Sequence, residues 1–424
     1  MDTDKILAIA IFVLTYLLII IFYHRKSAIV WAAAAALLLL KVESPKDALG
    51  AIDWNVILLY FGMLFVSEVF LYSKMPDYLA TLFASKTKST TAAMLIICAF
   101  TGAISMLLEN VAVVLLVAPV ALAISKKCDI NPVPLFIGMA ISSNLQGTAT
   151  LIGDPPSMLL GAFAKLSFND FFVLDGKPGI FFAVQLGAIT SLAVLYFAFR
   201  KYNKLMPRLE KEHYISSVPS VLVILLVMCL ILSSFIENSS PITAGLLCCI
   251  FGAVSLVWYM FHSKRRDVMA FTRTLDWQTG VFLIGIFILV KSLEVSGVIR
   301  DISQIIVRCA GDSPLSAFII ITGISVALSA FIDNIPFLVV MLPVTKLLTE
   351  HVGTDPYVFY FGLLIGTSIG GNITPIGASA NIVAMGIIKK QGHHVSFFDF
   401  VKIGLPFTVA AVLASAAFVW FVFK

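Results

Sequence analysis

Residues 91–124 read TAAMLIICAFTGAISMLLENVAVVLLVAPVALAI, apolar throughout except for Glu109-Asn110 near the centre. As one straight helix at about 1.5 Å per residue this stretch would be roughly 50 Å long, well beyond a bilayer's hydrocarbon core of about 30 Å. It is predicted to fold back on itself as a hairpin, with Glu109 and Asn110 at the tip and both ends on one side of the membrane. Whether the tip halts at the midplane or crosses fully, the topology parity is unchanged.

The same pattern returns later in the chain. Ile52-Asp53-Trp54 reappears as Leu275-Asp276-Trp277, Leu108-Glu109-Asn110-Val111 with Pro119 as Ile332-Asp333-Asn334-Ile335 with Pro343, and Thr150-Leu151-Ile152-Gly153 as Thr374-Pro375-Ile376-Gly377. Ser157 matches Asn381, and Ser167-Phe168 through Asp170-Phe171 matches Ser396-Phe397 through Asp399-Phe400. Two greasy segments match by chance at Leu and Val, not at acidic, Asn and Pro positions, so the chain is a duplicated unit.

Around the first hairpin the unit carries a second interruption. Gly147 and then Gly153-Asp154-Pro155-Pro156 break the stretch 134–164. Asp154 is suited to cap a new helix whose first position is Pro155, so this piece reads as one discontinuous span. The unit then crosses three times, an odd number, and the two copies should be inverted. The predicted layout is N-terminal scaffold helices in 1–50, repeat 1 in 51–211, linking scaffold helices in 212–273 and repeat 2 in 274–424. Repeat 1 holds a scaffold helix, the hairpin 91–125, the broken helix 134–164 and a helix over 179–199. Repeat 2 holds a helix over 277–293, a hairpin over 315–349, a broken helix over 357–388 and a helix over 405–423. The fold class is an all-α polytopic membrane protein, with ten or eleven crossings expected.

Composition agrees with this and excludes other classes. Of 424 residues, 60% are hydrophobic and 12% charged, with a mean hydropathy of +1.00, which rules out an ordinary soluble enzyme and makes the lipid bilayer the main partner. The net charge of +5 is spread over short clusters between apolar segments, so it carries no nucleic-acid signal. Those clusters report topology. With Arg25 cytoplasmic, Lys126, Lys127, Arg200, Lys201, Lys204, Arg208, Lys211, Lys264, Arg265, Arg266, Lys389 and Lys390 all fall inside, and both termini fall outside. The stretch Ile6 to Tyr23 lacks a basic leader and a cleavage site, and is expected to stay as a helix. The six cysteines lie in or beside apolar segments without metal-ligand spacing.

Irregular backbone at membrane depth survives only when buried in protein or lining a cavity. Two hairpin tips and two helix breaks should therefore converge on a polar site, where helix N-termini suit an anion and exposed carbonyls and side-chain oxygens suit Na⁺. The candidate ligands are Asn110, Ser143, Asn144, Thr148, Thr150 and Ser157 in the first copy, and Asn334, Thr367, Ser368, Asn372, Thr374, Ser379 and Asn381 in the second. Glu109, Asp333 and Asp154 are expensive in a membrane unless paired, solvated or protonated, and are the candidates for proton or cation coupling; all three could also cap helices. Lys291 and Glu68 read as snorkelling residues, and His393-His394 as a solvated loop. No Lys or Arg accompanies the tips in sequence, so an anionic substrate would need helix N-termini and bound Na⁺ to neutralise it. No metal beyond Na⁺ and no cofactor is expected.

Ser105 to Pro119, Ser143-Asn144 through Ala149-Thr150-Leu151-Ile152-Gly153-Asp154-Pro155-Pro156, Phe331 to Phe337, and Gly370-Gly371-Asn372 through Ile376-Gly377-Ala378-Ser379-Ala380-Asn381 resemble the ArsB/NhaD permeases of the ion transporter superfamily, dicarboxylate-transporter-like, in the branch that holds the melanosomal P protein and many bacterial permeases. The resemblance runs over nearly the whole chain from Ile52. It implies inverted-repeat secondary transport, elevator-like motion of a transport domain against a scaffold, and a homodimer in a bacterial or archaeal plasma membrane. Glu109 stands where many relatives have Asp, and Ser157 where relatives usually have Asn. The expected function is secondary active transport of a small ion or anionic solute coupled to Na⁺ or H⁺, of the arsenite efflux or Na⁺/H⁺ exchange class. The alternative is Na⁺-coupled di- or tricarboxylate transport. An ion channel is the rival class, and no nucleophile–base or HExxH pattern supports an enzyme.

Overall fold

The protein is described from a computed structural model covering residues 3–22, 25–205, 213–236, 242–263, 268–311 and 313–424. Arg208, Lys211, Lys264, Arg265 and Arg266 lie outside the described residues. The helices are α1 (Thr3–Ile21), α2 (Lys26–Leu39), α3 (Pro45–Gly50), α4 (Trp54–Tyr72), α5 (Met75–Ser85), α6 (Thr90–Ser105), α7 (Asn110–Lys127), α8 (Val133–Gly147), α9 (Pro155–Phe163), α10 (Ile180–Phe199), α11 (Val218–Ser233), α12 (Thr243–His262), α13 (Val268–Thr274), α14 (Trp277–Val295), α15 (Val298–Ala310), α16 (Pro314–Ser329), α17 (Asn334–Val352), α18 (Pro356–Gly370), α19 (Ser379–Lys390) and α20 (Phe397–Phe423). A two-residue antiparallel strand pair, Val173–Leu174 with Lys177–Pro178, precedes α10.

Each hairpin forms as the interrupted stretch requires. Ser89 caps α6 by accepting from the Ala92 amide and Ser313 caps α16 by accepting from the Ser316 amide. These legs of 16 residues reach only about 24 Å at ~1.5 Å per residue, short of a hydrocarbon core of about 30 Å. Four residues turn the chain at each tip, and α7 and α17 return, each with an internal proline, Pro119 and Pro343. Each broken helix is a pair, α8 with α9 and α18 with α19. Among the described residues eight helices are long and apolar enough to cross a membrane. Leu14, Ile224, Phe261 and Leu413 are exposed on α1, α11, α12 and α20, the faces that lipid would cover.

The two copies run in opposite directions. The Tyr60 hydroxyl in mid-α4 donates to the Asp276 carbonyl at the start of α14 (3.0 Å), whereas Asp53 at the start of α4 lines a cavity with Lys291 and Glu294 at the end of α14. Likewise Ser415 of α20 donates to the Ala183 carbonyl early in α10 (2.9 Å), and Thr190, later in α10, donates to the Ala410 carbonyl (3.1 Å). Antiparallel mates of a duplicated unit are the inverted arrangement the odd crossing number demands. Small residues permit the tightest crossing, where a Cβ on Gly62 of α4 would stand 2.3 Å from the Cys248 carbonyl carbon of α12, so backbones approach closely.

The structure adds two helices and moves one boundary. The segments after α4 and α14, which the sequence reading left unassigned, are the helices α5 and α15; α15 presents Arg300, Asp301 and Arg308 around buried Val298, Ile299 and Ile306, an amphipathic pattern suited to the membrane surface. The helix expected over 405–423 begins at Phe397, because Ser396 and Asp399 form a capping box and Pro406 is tolerated inside it. Its counterpart is stopped after one turn: Asp170 accepts from the Ser167 amide in the same way (2.6 Å), yet the strand pair intervenes before α10.

Candidate functional site

Each tip is fixed to its own broken helix by the same lock. Ser105 donates to Asn110 Oδ1 (2.5 Å) and Ser329 to Asn334 Oδ1 (2.6 Å). Thr150 donates to the Met106 carbonyl and Thr374 to the Ala330 carbonyl, so the hydroxyls of the Gly-rich loops hold the last turns of α6 and α16. The glycines leave no space: a Cβ on Gly147 would lie 2.4 Å from Asn110 Oδ1, and one on Gly371 2.9 Å from Asn334 Oδ1. The two halves then join at buried Asn144, whose Nδ2 donates to Asn372 Oδ1 (2.8 Å) and Asn381 Oδ1 (3.0 Å). Asn381 spends its own amide on the carbonyls of Gly371 (2.9 Å) and Thr374 (3.0 Å), and Asn372 its amide on that of Ile141 (3.1 Å).

Between the tips lies a cavity of about 50 Å³ whose polar lining is Glu109, Asp154, Asp276, Asp333, Lys26, Asn110, Asn144, Asn334, Thr279 and Ser379, with Val111, Pro155, Pro156, Ile335, Ala378 and Ala380 as the apolar wall. Two roomier cavities, of about 210 and 330 Å³, lie at the periphery around Asp53 and the ends of α9 and α14; they lack the tip residues. Among the described residues no cluster of His, Cys, Asp and Glu is arranged as a metal centre.

The cavity gathers Glu109, Asn110, Asn144, Asp154, Asp333, Asn334 and Ser379 of the expected residues. The others stand behind it. Thr150, Asn372, Thr374 and Asn381 make the locks described above, Ser143 donates to the Asn110 carbonyl (3.2 Å), and Thr148 donates to the Asn144 carbonyl (3.2 Å). Thr367 Oγ1 is buried without a hydrogen-bond partner, as are the hydroxyls of Ser157 and Ser368, which lie near Asp154.

The expectation that no lysine accompanies the tips is overturned. Lys26, read from sequence as one of a basic cluster marking topology, is 5% exposed and its ammonium pairs with Asp333 Oδ2 at 3.2 Å. It begins α2, which is pinned to α14 by bonds from Ser27 to the Gln278 carbonyl (2.7 Å) and from Trp31 to the Val281 carbonyl (3.0 Å). Asp276 was also missed as a site residue. Its repeat partner Asp53 caps α4 at the periphery, whereas the start of α14 faces the tip cavity, where Asp276 caps it through Thr279. A repeated Asp-Trp was visible in sequence; the offset between the two helices was not.

The helix ends facing the cavity differ by copy. Glu109 accepts from the Ala112 amide (2.9 Å) and Asp154 from the Ser157 amide (2.9 Å), so both N-termini of the first copy are capped by carboxylates. In the second copy Asp333 makes no cap on α17 and Ala378 can make none on α19. Uncapped N-termini carry partial positive charge, so the second copy presents that charge together with Lys26.

A profile of the citrate transporter family matches residues 16–359 and 306–424. An uncharacterized transporter of Mycobacterium tuberculosis is 28% identical over 432 residues, covering 98% of both chains. The P protein of Sus scrofa is 26% identical and covers 87% of this chain, which spans 53% of that protein. Among solved structures, the YdaH transporter of Alcanivorax borkumensis superposes with a TM-score of 0.59 at 14% identity over 88% of this chain and 86% of its own. MtrF of Neisseria gonorrhoeae, described as one of a class of antimetabolite efflux pumps, gives 0.60 at 17% over 92% and 85%. These findings support the wider permease grouping and a polytopic transporter fold, and do not single out the ArsB/NhaD branch.

Proposed function

We propose a function from a plain premise: this chain belongs to the citrate transporter family. It is a cation-coupled secondary transporter of a small anionic solute of the di- or tricarboxylate class. The observation that carries this is the polarity of the tip cavity. Four carboxylates line it against one ammonium, so an anion enters only with compensating cations, which is what coupling requires. Two of the carboxylates, Glu109 and Asp154, belong to the first copy and have no ammonium paired with them among the described residues, and Na⁺ or H⁺ binds there. The anion takes the second copy, between Lys26, the uncapped ends of α17 and α19 and the Ser379 hydroxyl. Alternating access moves the hairpins and broken helices against the N-terminal and linking helices in an elevator-like way, in a homodimer with both termini outside.

One observation favours a second reading. The space between the tips, about 50 Å³, holds no more than a few waters at about 10–15 Å³ each, so a tricarboxylate fits only after the hairpins part. Inorganic ion efflux or Na⁺/H⁺ exchange, as the ArsB/NhaD resemblance implies, needs no such opening. Uptake into proteoliposomes under imposed Na⁺ and pH gradients, with citrate, succinate, arsenite and Na⁺ itself, separates the two. Asn110→Ala and Asn334→Ala are each expected to lower the active flux at least about tenfold, through loss of a buried polar partner. Unchanged flux in both variants rules out this site, and large single-channel currents in a bilayer rule out a transporter.

A further inference from the structure

The Lys26–Asp333 pair joins two parts of the molecule that a transport cycle must separate. Lys26 rides on α2, held to α14 by the Ser27 and Trp31 bonds and by Val30, which packs where Gly285 has no side chain. Asp333 rides on the tip of the second hairpin, held to α18 by Ser329, whose one hydroxyl proton is shared between Asn334 Oδ1 and the Thr367 carbonyl (2.5 Å), and to the Gly-rich loop by Thr374, which donates to the Ala330 carbonyl. The inverted mate, Glu109, turns its carboxylate inward to cap its own helix. Asp333 instead turns away from α17 to reach the ammonium, which also stands 5.0 Å from the centre of the Phe282 ring. Both charges are nearly removed from solvent, with side chains 7% and 11% exposed. Separating such a pair leaves each charge buried and uncompensated, which costs far more than the pair gains over neutral packing. Among the described residues facing the pair none brings a second full positive charge to Asp333: Glu109, Asp154 and Asp276 are carboxylates, Asn110, Asn144, Asn334, Thr279 and Ser379 are neutral, Tyr16 of α1 is a phenol, and the open end of α17 offers only a partial charge.

We propose that Lys26 is a tethered counter-cation, a positioning and coupling residue, resting on the transport reading above. In this conformation the scaffold ammonium neutralises Asp333. When the second hairpin leaves it, Asp333 takes a solution metal cation of the Na⁺ class, and on return Lys26 displaces that ion to the side of the membrane this conformation faces. The ammonium gives the cycle a step at which the coupling ion is expelled. Glu109, with no tethered cation bonded to it, keeps its own ion requirement throughout.

The test is equilibrium binding of ²²Na⁺ to the purified full-length protein in detergent at pH 8, which needs no transport. Lys26→Met is expected to bind Na⁺ at about tenfold lower concentration than wild type, because the vacated carboxylate recruits the ion that the ammonium excluded. Lys26→Arg keeps a tethered cation and is expected to stay near wild type. Lys26→Met combined with Asp333→Asn is expected to lose the gain, which separates counter-ion exchange from a general loosening of the fold. Thermal melting of each variant verifies that it is folded. Equal Na⁺ binding by wild type and Lys26→Met overturns the proposal, as does a gain that survives Asp333→Asn. If the binding results come out as expected while no solute is moved in proteoliposomes, the counter-cation stands and the transport reading falls.

Discussion

The two hairpin tips share one construction and differ in how they treat charge. In both, a serine of the incoming leg donates to the tip asparagine, a threonine of the Gly-rich loop holds the last turn of that leg, and glycine admits the asparagine side chain. Beside that common lock, the first copy caps α7 and α9 with carboxylates, whereas the second leaves the equivalent α17 and α19 uncapped, keeps a carboxylate cap on α14, and meets a lysine from outside the repeat. Duplication supplied the scaffold, and divergence at Asp154/Ala378 and Glu109/Asp333 gave equivalent helix ends different polarity, capped in one copy and open in the other. A symmetric pair of sites would bind one kind of ion twice. A polarised pair accommodates an anion and its coupling cation side by side.

The common lock predicts equal and large damage from equivalent substitutions. A Cβ on Gly153 would stand 2.3 Å from the Gly147 carbonyl oxygen and 2.9 Å from that of Ser105; one on Gly377 would stand 2.5 Å from the Gly371 oxygen and 2.9 Å from that of Ala330. Every one of these neighbours is backbone, which cannot swing aside. Gly153→Ala and Gly377→Ala are each expected to destabilise the protein by about 3 kcal/mol, seen as a large fall in melting temperature and loss of the monodisperse fraction. A variant that folds like wild type at one position and not the other would show that the two locks are unequal.

The polarity predicts opposite outcomes from reciprocal exchanges. Ala378→Asp gives α19 the cap that α9 already has, so stability should rise by up to about 1 kcal/mol, while the added negative charge lowers anion uptake at least about tenfold. Asp154→Ala removes a cap, so stability should fall by about 1 kcal/mol, and the dependence of uptake on the coupling cation should weaken. Comparing melting temperature and uptake in the same preparations keeps the two effects apart. Wild-type anion uptake by Ala378→Asp would remove the second copy from the anion site.

Much of this was legible before any coordinates. The duplicated acidic, Asn and Pro positions fixed the hairpins and breaks to within a few residues, because a carboxylate, a proline pair or a stretch too long for the bilayer leaves the chain few options. The Ser/Thr/Asn residues could be named from sequence only as one undivided group, because periodicity could not sort Asn334, which faces the cavity, from Thr374, which holds a carbonyl. Lys26 was invisible for a stronger reason. It follows Arg25 in a run that charge statistics assign to the membrane surface, and only tertiary packing of α2 on α14 draws it to a tip more than three hundred residues away in sequence. The amphipathic α5 and α15 escaped notice because they are short and abut longer apolar runs.

The contrast between buried charges extends to the far end of α2. Where α2 begins, a buried lysine meets an acid directly; just after it ends, Glu43 is 3% exposed and neither carboxylate oxygen has a hydrogen-bond partner. Burial pushes its carboxyl up from 4.5 to about 7, with Asp47 adding to the rise and Lys291 opposing it. The folded state therefore holds this proton more tightly than the unfolded chain does. The stabilisation is present in full below 4.5 and is lost as pH rises through about 7. Glu43→Gln, which cannot ionise, is expected to match wild type at low pH and to exceed it by about 3 kcal/mol at pH 8. Melting temperature followed from pH 5 to pH 8 should fall less steeply in the variant. Parallel profiles would mean that Glu43 is already relieved in the folded protein, by water or by Lys291, and that only the end of α2 facing the tips holds a charge the fold must compensate.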